Sequence, residues 1–294
     1  MLMNQTRGDK IFNVINSIFM VLLCATMIYP LLFVFGRSFM DNTDMAMHPL
    51  SVIPERINLS GYTYIFGSGS YVLNSYFITI ARVIVGTFLN LFFTSLMAYV
   101  LSKKYYPFRT PVTLMVVFTM WFSGGLVPSY LLINSLGLSN TFFVYILPGL
   151  ISAWNMTLMR NFFMAIPAEI EESATIDGAS DVALLFRIYL PLSSASLATI
   201  GLFYAVGHWN SWYDALLYVN KKSLWTLQMI LREIIGNANI TSLLASASVS
   251  FEEEPPQEQV KFATIVIATL PILCVYPFLQ KYFVKGVMVG SLKG

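Results

Sequence analysis

An all-α polytopic membrane protein with six transmembrane helices is the fold class this sequence predicts, and three observations carry the prediction. Of 294 residues, 56% are hydrophobic and only 11% charged, with a mean hydropathy of +0.68, whereas soluble domains hold roughly a quarter charged residues. Six apolar runs each approach the ~20 residues that a helix needs to cross a bilayer. The basic residues, finally, crowd to one side of those runs.

The first run, Ile11 to Phe35, carries no charge. It is too long for a signal peptide and lacks a small-residue cleavage site, so it reads as a span. Further runs lie at 75–101, 111–132, 141–160, 192–217 and 262–284. Within the third, Gly124, Gly125 and Pro128 predict a break or a re-entry, because glycine and proline weaken a helix interior. With the N-terminus inside, ten basic residues (Arg7, Lys10, Lys103, Lys104, Arg109, Arg160, Arg187, Lys281, Lys285, Lys293) face the cytoplasm. Six (Arg37, Arg56, Lys221, Lys222, Arg232, Lys261) lie outside, and Arg82 falls within a span. Segments 102–110 and 161–191 are then cytoplasmic, 37–74, 133–140 and 218–261 external, and both termini cytoplasmic. The chain divides into an N-terminal tail, first helix and outer segment (1–72), a core of five helices with the 161–191 loop (73–284), and a C-terminal tail (285–294).

Composition excludes several function classes. A net charge of +2 with no basic stripe excludes nucleic acid as a partner. His48 and His208 are the only histidines, so a structural zinc site lacks its ligands, and no metal or cofactor is assigned. Cys24 and Cys274 read as small buried apolar side chains. None of the fifteen acids sits near the middle of a span, the nearest being Asp214 towards the outer end of the fifth, which argues against a proton relay. No G-x-x-x-x-G-K-[ST] loop is present to hold a nucleotide, and no Ser/His/Asp or Cys/His set supplies a nucleophile. The chain is not an enzyme on this reading, and any ATP hydrolysis belongs to a separate polypeptide.

The 161–191 loop is the informative segment. Pro167 suits a first helical turn, Glu169, Glu171 and Glu172 place negative charge at the positive end of the helix dipole, and Gly178 suits a left-handed stop. A helix of about ten residues, ~15 Å long, cannot span a membrane and lies at its surface. Ser180 then caps a second helix with Val182, Leu185, Phe186 and Tyr189 on its apolar side, before Leu190-Pro191 begins the next span.

Glu172-Ser173-Ala174, three residues, Gly178, nine residues, then Ile188-Tyr189-Leu190-Pro191 resembles the E-A-A-x3-G-x9-I-x-L-P loop of permease subunits in binding-protein-dependent ABC importers. Every fixed position matches except Ser173, where alanine is usual. Four further stretches extend the resemblance over the chain: Phe122–Pro128, Asn155–Phe163, Trp209–Trp212 and Tyr276–Gly286. They resemble the maltose-permease-like second subunits of the carbohydrate branch, above all oligosaccharide permeases of low-GC Gram-positive bacteria. The resemblance implies a type I ABC importer permease fold whose loop is a coupling helix seated on the ATPase. Glu172, Ser173, Ala174, Asp177, Gly178, Ile188, Leu190 and Pro191 would serve that coupling. It further implies a second permease subunit, two ABC ATPase subunits, an extracellular sugar-binding lipoprotein and membrane lipid as partners.

Arg82 lies a third of the way into the second span, where a cation either lines the pathway or finds a structural pair or the headgroups. Tyr204, Trp209, Asn210 and Trp212 combine stacking faces with hydroxyl and amide groups, which suits a sugar-binding wall; an outer aromatic belt explains the tryptophans equally. The segment 218–261, with Lys221-Lys222, a helical Leu227–Ile235 and the acidic run Glu252-Glu253-Glu254, is either a solvated face or a dock for the binding protein. The competing function is half of a secondary carrier or channel for a small polar solute, which would need intramembrane charge and no coupling loop.

Overall fold

The computed structural model describes residues 7–67, 71–236 and 257–291, with side chains as far as residue 275. Among them, three helices are long and apolar enough to cross a membrane, Gly8–Arg37, Tyr71–Ser102 and Glu258–Val275, and three bent helix pairs bring the number of candidate spans to six. The chain separates into two compact units.

One unit comprises the described residues of Met1–Ser70 and Ile234–Leu270. It holds α1 (Arg7–Arg37), α2 (Asn42–Met47), α3 (Ser60–Ile65) and the first part of the last helix, here α14 (Gln257–Ser291). Residues 8–32 of α1 are exposed throughout, an apolar surface stable only against lipid or another protein. The buried Gln259 knits the unit together. Its Nε2 donates to the Asn58 and Ser38 carbonyls at 2.6 and 3.3 Å, and its Oε1 accepts from the Ser60 hydroxyl and the Gly61 N–H at 2.9 and 3.2 Å. Gly36 is required there, since a Cβ would come 1.7 Å from the Val52 carbonyl oxygen.

The other unit contains α4 (Tyr71–Ser102), α5 (Arg109–Trp121), α6 (Leu126–Ser135), α7 (Ala153–Met164), α8 (Ala168–Ile176), α9 (Asp181–Leu184), α10 (Leu190–Leu192), α11 (Ser194–Asn210), α12 (Tyr213–Tyr218) and most of α13 (Leu227–Gly236). The centre of this unit is α4, packed on α7 and α11. One apolar core joins Ala98, Tyr99 and Leu101 of α4 to Met156, Met159 and Phe163 of α7 and Ile200 of α11. A second gathers Ile78, Ile133, Val144, Tyr145, Ala215 and Val219.

The break expected near Gly124 is present: α5 and α6 meet at 116° across it, and Gly125 has φ +88°. The fourth and fifth runs are less regular than the sequence predicts. The fourth begins as two 3-10 turns, Phe142–Tyr145 and Leu147–Gly149, then bends 53° into α7, because Pro148-Gly149 interrupts the helix and the Ser152 hydroxyl caps a new one. The fifth bends 84° before Ser194 and stops at Asn210 rather than 217. Cys24 and Cys274 are free and exposed, contrary to the expected burial: each lies on an outward face of its own apolar helix. The acidic run from Glu252 to Glu254 lies outside the described residues, as do the side chains of 276–286.

Candidate functional site

Two polar assemblies occupy the α4 unit. The first surrounds α8. Pro167 precedes the helix as its extended N-cap residue (ψ 136°), one position before the turn the sequence assigned it. Glu169 and Glu171 fall in the first turn, and Gly178 terminates the helix at φ +82°, with Gly178 and Ala179 N–H donating to the Thr175 and Ala174 carbonyls. Ser180 caps α9 by accepting from Ala183 N–H. The buried side of the α9 region is Leu184, Leu185 and Tyr189, whereas Val182 is 67% exposed, which reverses part of the expected apolar face. The reason is a π turn over Leu185–Tyr189. Pro191 has no N–H to give the helix, and the added residue rotates Tyr189 inward.

None of the nine residues of α8 is buried, yet the helix is held. Lys103, 5% exposed at the end of α4, donates to Glu171 Oε1 at 2.6 Å and to the Tyr189 hydroxyl at 3.0 Å. Tyr189 in turn donates to Glu171 Oε2 at 2.6 Å. The ammonium also lies 4.2 and 4.1 Å from the ring centroids of Tyr99 and Tyr189. Tyr99 and Tyr105 both donate to Asp181 Oδ1 at 3.3 and 3.1 Å. Partial desolvation, then the hydrogen bond and charge of Asp181, push the Tyr105 hydroxyl up to about 12, so it remains a donor at neutral pH. Glu172, Ser173, Asp177 and Gly178 point to the exposed side; Ala174, Ile188 and Leu190 pack against the core. A cleft of about 860 Å³ opens beside α8 between Lys103, Lys104, Glu171, Glu172 and Tyr189.

The second assembly lies along α4 and α11. Arg82, 3% exposed, forms a bidentate pair with Asp214, donates through Nε to His208 Nδ1 at 3.3 Å, and lies 4.6 Å from the Tyr145 ring centroid. His208 Nε2 then donates to Asn90 Oδ1 at 2.6 Å, and Asn90 Nδ2 to the Gly149 and Leu150 carbonyls at 2.8 Å. Asp214 also accepts from Ser211 Oγ and Ala215 N–H. These bonds hold the backbone where the fifth run breaks. A cavity of about 480 Å³ adjoins, lined by Arg82, Asn155, Phe203, Tyr204, His208 and Asp214 among others. Tyr204 shares a 2.7 Å hydrogen bond with Thr94 and accepts from Ser152 N–H.

Arg82 and Tyr204 therefore share a cavity, and the other three residues of the predicted sugar wall do not line it. Trp209 is 9% exposed and packs edge-on to Tyr76. Asn210 is exposed, and Trp212 lies under the Arg232 guanidinium at 4.8 Å. Of the three readings of Arg82, the structural pair is present, and the same side chain also lines the cavity. Sequence reasoning missed Lys103, Tyr189 as a hub, Asn90 and His208, whose partners are distant along the chain. Asp44, His48 and Glu55 each bring a ligand atom within 4.8 Å of the others, the one such group among the described residues. It is largely exposed, and His48 already pairs with Glu55 at 3.0 Å, so no metal is assigned to it.

Comparison with known proteins identifies the assemblies' context. The family described as "Binding-protein-dependent transport system inner membrane component" matches residues 107–289. The protein LplC of Bacillus subtilis is 42% identical over 292 residues, covering 99% of this chain and 98% of that one. The polygalacturonan/rhamnogalacturonan transport system permease protein YtcP of the same organism is 39% identical, over 97% and 99%. A chain in the crystal structure of a bacterial ABC transporter involved in the import of the acidic polysaccharide alginate superposes with a TM-score of 0.88 at 31% identity, covering 95% of this chain and 99% of that one. The chain belongs to the family of binding-protein-dependent transport system inner membrane components.

Proposed function

We propose that this chain is one of two permease subunits of an ATP-driven importer, and that it translocates an oligosaccharide delivered by an extracellular binding protein. The observation that carries the reading is α8: a surface helix with no buried residue of its own, ended by a left-handed Gly178 and presenting Glu172 outward. Such a helix gains stability from a protein seated on it, and two ABC ATPase chains, one beneath each permease, would supply that seat. Both termini and the 161–191 loop are then cytoplasmic, in keeping with the distribution of Lys and Arg. A carrier half would need a free charge at membrane depth, and Asp214 is neutralised by Arg82.

The names of the relatives, which include transport of polygalacturonan and import of alginate, support an acidic oligosaccharide. Because the Arg82 charge is matched by Asp214, the cavity beside Tyr204 and Asn155 offers hydroxyl and amide groups suited to sugar hydroxyls rather than a free cation for a carboxylate. The test is reconstitution in proteoliposomes with a second permease, the ATPase and the binding protein. ATP-dependent saccharide uptake that Glu172→Lys abolishes is expected. ATP hydrolysis by the chain alone, or uptake indifferent to both the ATPase and Glu172→Lys, would refute the assignment.

A further inference from the structure

We infer that Lys103 is a positioning residue that fastens the coupling helix to the end of α4, so that α8 and α4 move as one body when the ATPase moves α8. The inference rests on the reading of α8 as the coupling helix and names how motion leaves it.

Adjacent residues on a helix point ~100° apart, and the acids of α8 divide accordingly. Glu172 is exposed, whereas Glu171 turns inward to Lys103. Lys103, Glu171 and the Tyr189 hydroxyl close a triangle in which every pair is hydrogen-bonded, at 2.6, 3.0 and 2.6 Å. Its corners come from three places: the end of α4, the coupling helix, and the π turn leading into α11. Tyr189 extends the joint into the core, with its ring edge-on to Tyr99 of α4 at 5.0 Å and to Phe163 of α7 at 5.5 Å. Asp181 adds a second tie, receiving Tyr99 and Tyr105 just beyond Gly178. A buried, paired ammonium is costly to separate from its carboxylate. Motion of α8 therefore passes to α4 before the pair opens. Without it, α8 and its flanks keep the partly buried Ile166, Ala174 and Ala179 against the core and the single Tyr189–Glu171 hydrogen bond, and the direct tie to α4 is lost.

The experiment measures a spin-label distance between Ile176→Cys on α8, where the side chain is 86% exposed, and Val100→Cys on α4, in a background with Cys24→Ser and Cys274→Ser. It is read on the chain alone in lipid nanodiscs and again in the four-chain complex, with and without ATP and EDTA. One narrow distance, unchanged by ATP, is expected for the otherwise native chain. Lys103→Met should broaden it in both settings and make it shift with ATP in the complex, Tyr189→Phe should broaden it less, and the exchange Lys103→Glu/Glu171→Lys should restore it. Coupling through such joints changes by about tenfold on their loss, so ATP-driven transport per ATP hydrolysed should fall by that factor in Lys103→Met. A native distance that ATP shifts, a Lys103→Met distribution identical to the native one, or broadening that the exchange leaves unrepaired would each overturn the inference. Failure to bind any ATPase would instead refute the importer reading, with the chain-alone distances still deciding the fate of the joint.

Discussion

Two positions along α4, one a third of the way in and one just past its end, solve the same problem with different consequences. Arg82 and Lys103 are twenty-one residues apart, ~30 Å along a helix, and each is a buried cation paired with an acid from a later segment. Arg82 is enclosed. Its fork is shared among Asp214, His208 and the Ser211 carbonyl, with Tyr145 across its face, and all of these belong to packed helices or the breaks between them. Lys103 is nearly as buried, yet its acid sits on a helix that buries nothing. The difference teaches that an ion pair does what its surroundings allow: between two packed elements it fixes the fold, and between a packed element and a loose one it becomes a joint.

The comparison breaks most severely at Arg82. Arg82→Met should destabilise the chain by about 3 kcal/mol, the low end for a buried pair, since Asp214, 22% exposed, loses its buried partner but keeps some access to water. Thermal unfolding in detergent would show it, and Arg82→Met/Asp214→Leu should regain most of the loss. An unaffected Arg82→Met would mean that the pair is ornamental and the two cations of α4 are not alike. Gly86→Ala probes the same network more mildly, because a Cβ would lie 2.5 Å from His208 Nε2. A cost of about 1–3 kcal/mol is expected for such overpacking, relieved when His208→Ala accompanies it. Tyr204→Phe removes the bonds to Thr94 and the Ser152 N–H and should cost about 1 kcal/mol, by the same measurement.

At the other end, Gly178→Ala meets nothing within 4 Å, so only the left-handed backbone resists it, at about 1–2 kcal/mol. Because α8 can open without the core, this strain should raise amide exchange over residues 175–181 while global unfolding stays the same. Equal loss at both levels would show that α8 unfolds together with the core, removing the contrast on which the joint depends.

Local signals made much of this legible beforehand. The six apolar runs, the break at Gly124-Gly125, the stop at Gly178 and the cap at Ser180 each depend on residues within a few positions, where propensity and hydrogen bonding act directly. The bend before Ser194 and the end of α11 at Asn210 do not. The latter is set by Arg82 and Thr226 bonding to the Ser211 carbonyl, partners fixed only once the chain has folded. Lys103 counted in the sequence only as an orientation charge, and Tyr189 occupied the variable position of its motif; neither signal contains the sixty-eight residues that separate Lys103 from Glu171. Three of the expected sugar-wall residues lie outside the cavity that Arg82 and Tyr204 line. Trp209 and Asn210 are adjacent on α11 and so point about 100° apart, and Trp212 lies beyond the helix end.

The central claim is that α8 is the surface on which an ATPase acts. Its most direct test is a single cysteine, Glu172→Cys, in the chain lacking Cys24 and Cys274, treated with a short bifunctional crosslinker in membranes that contain the co-expressed ABC ATPase. The account predicts a covalent product joining this chain to the ATPase. A cysteine that forms no such product and is labelled in intact cells by a membrane-impermeant reagent would contradict it, because α8 would then face the outside.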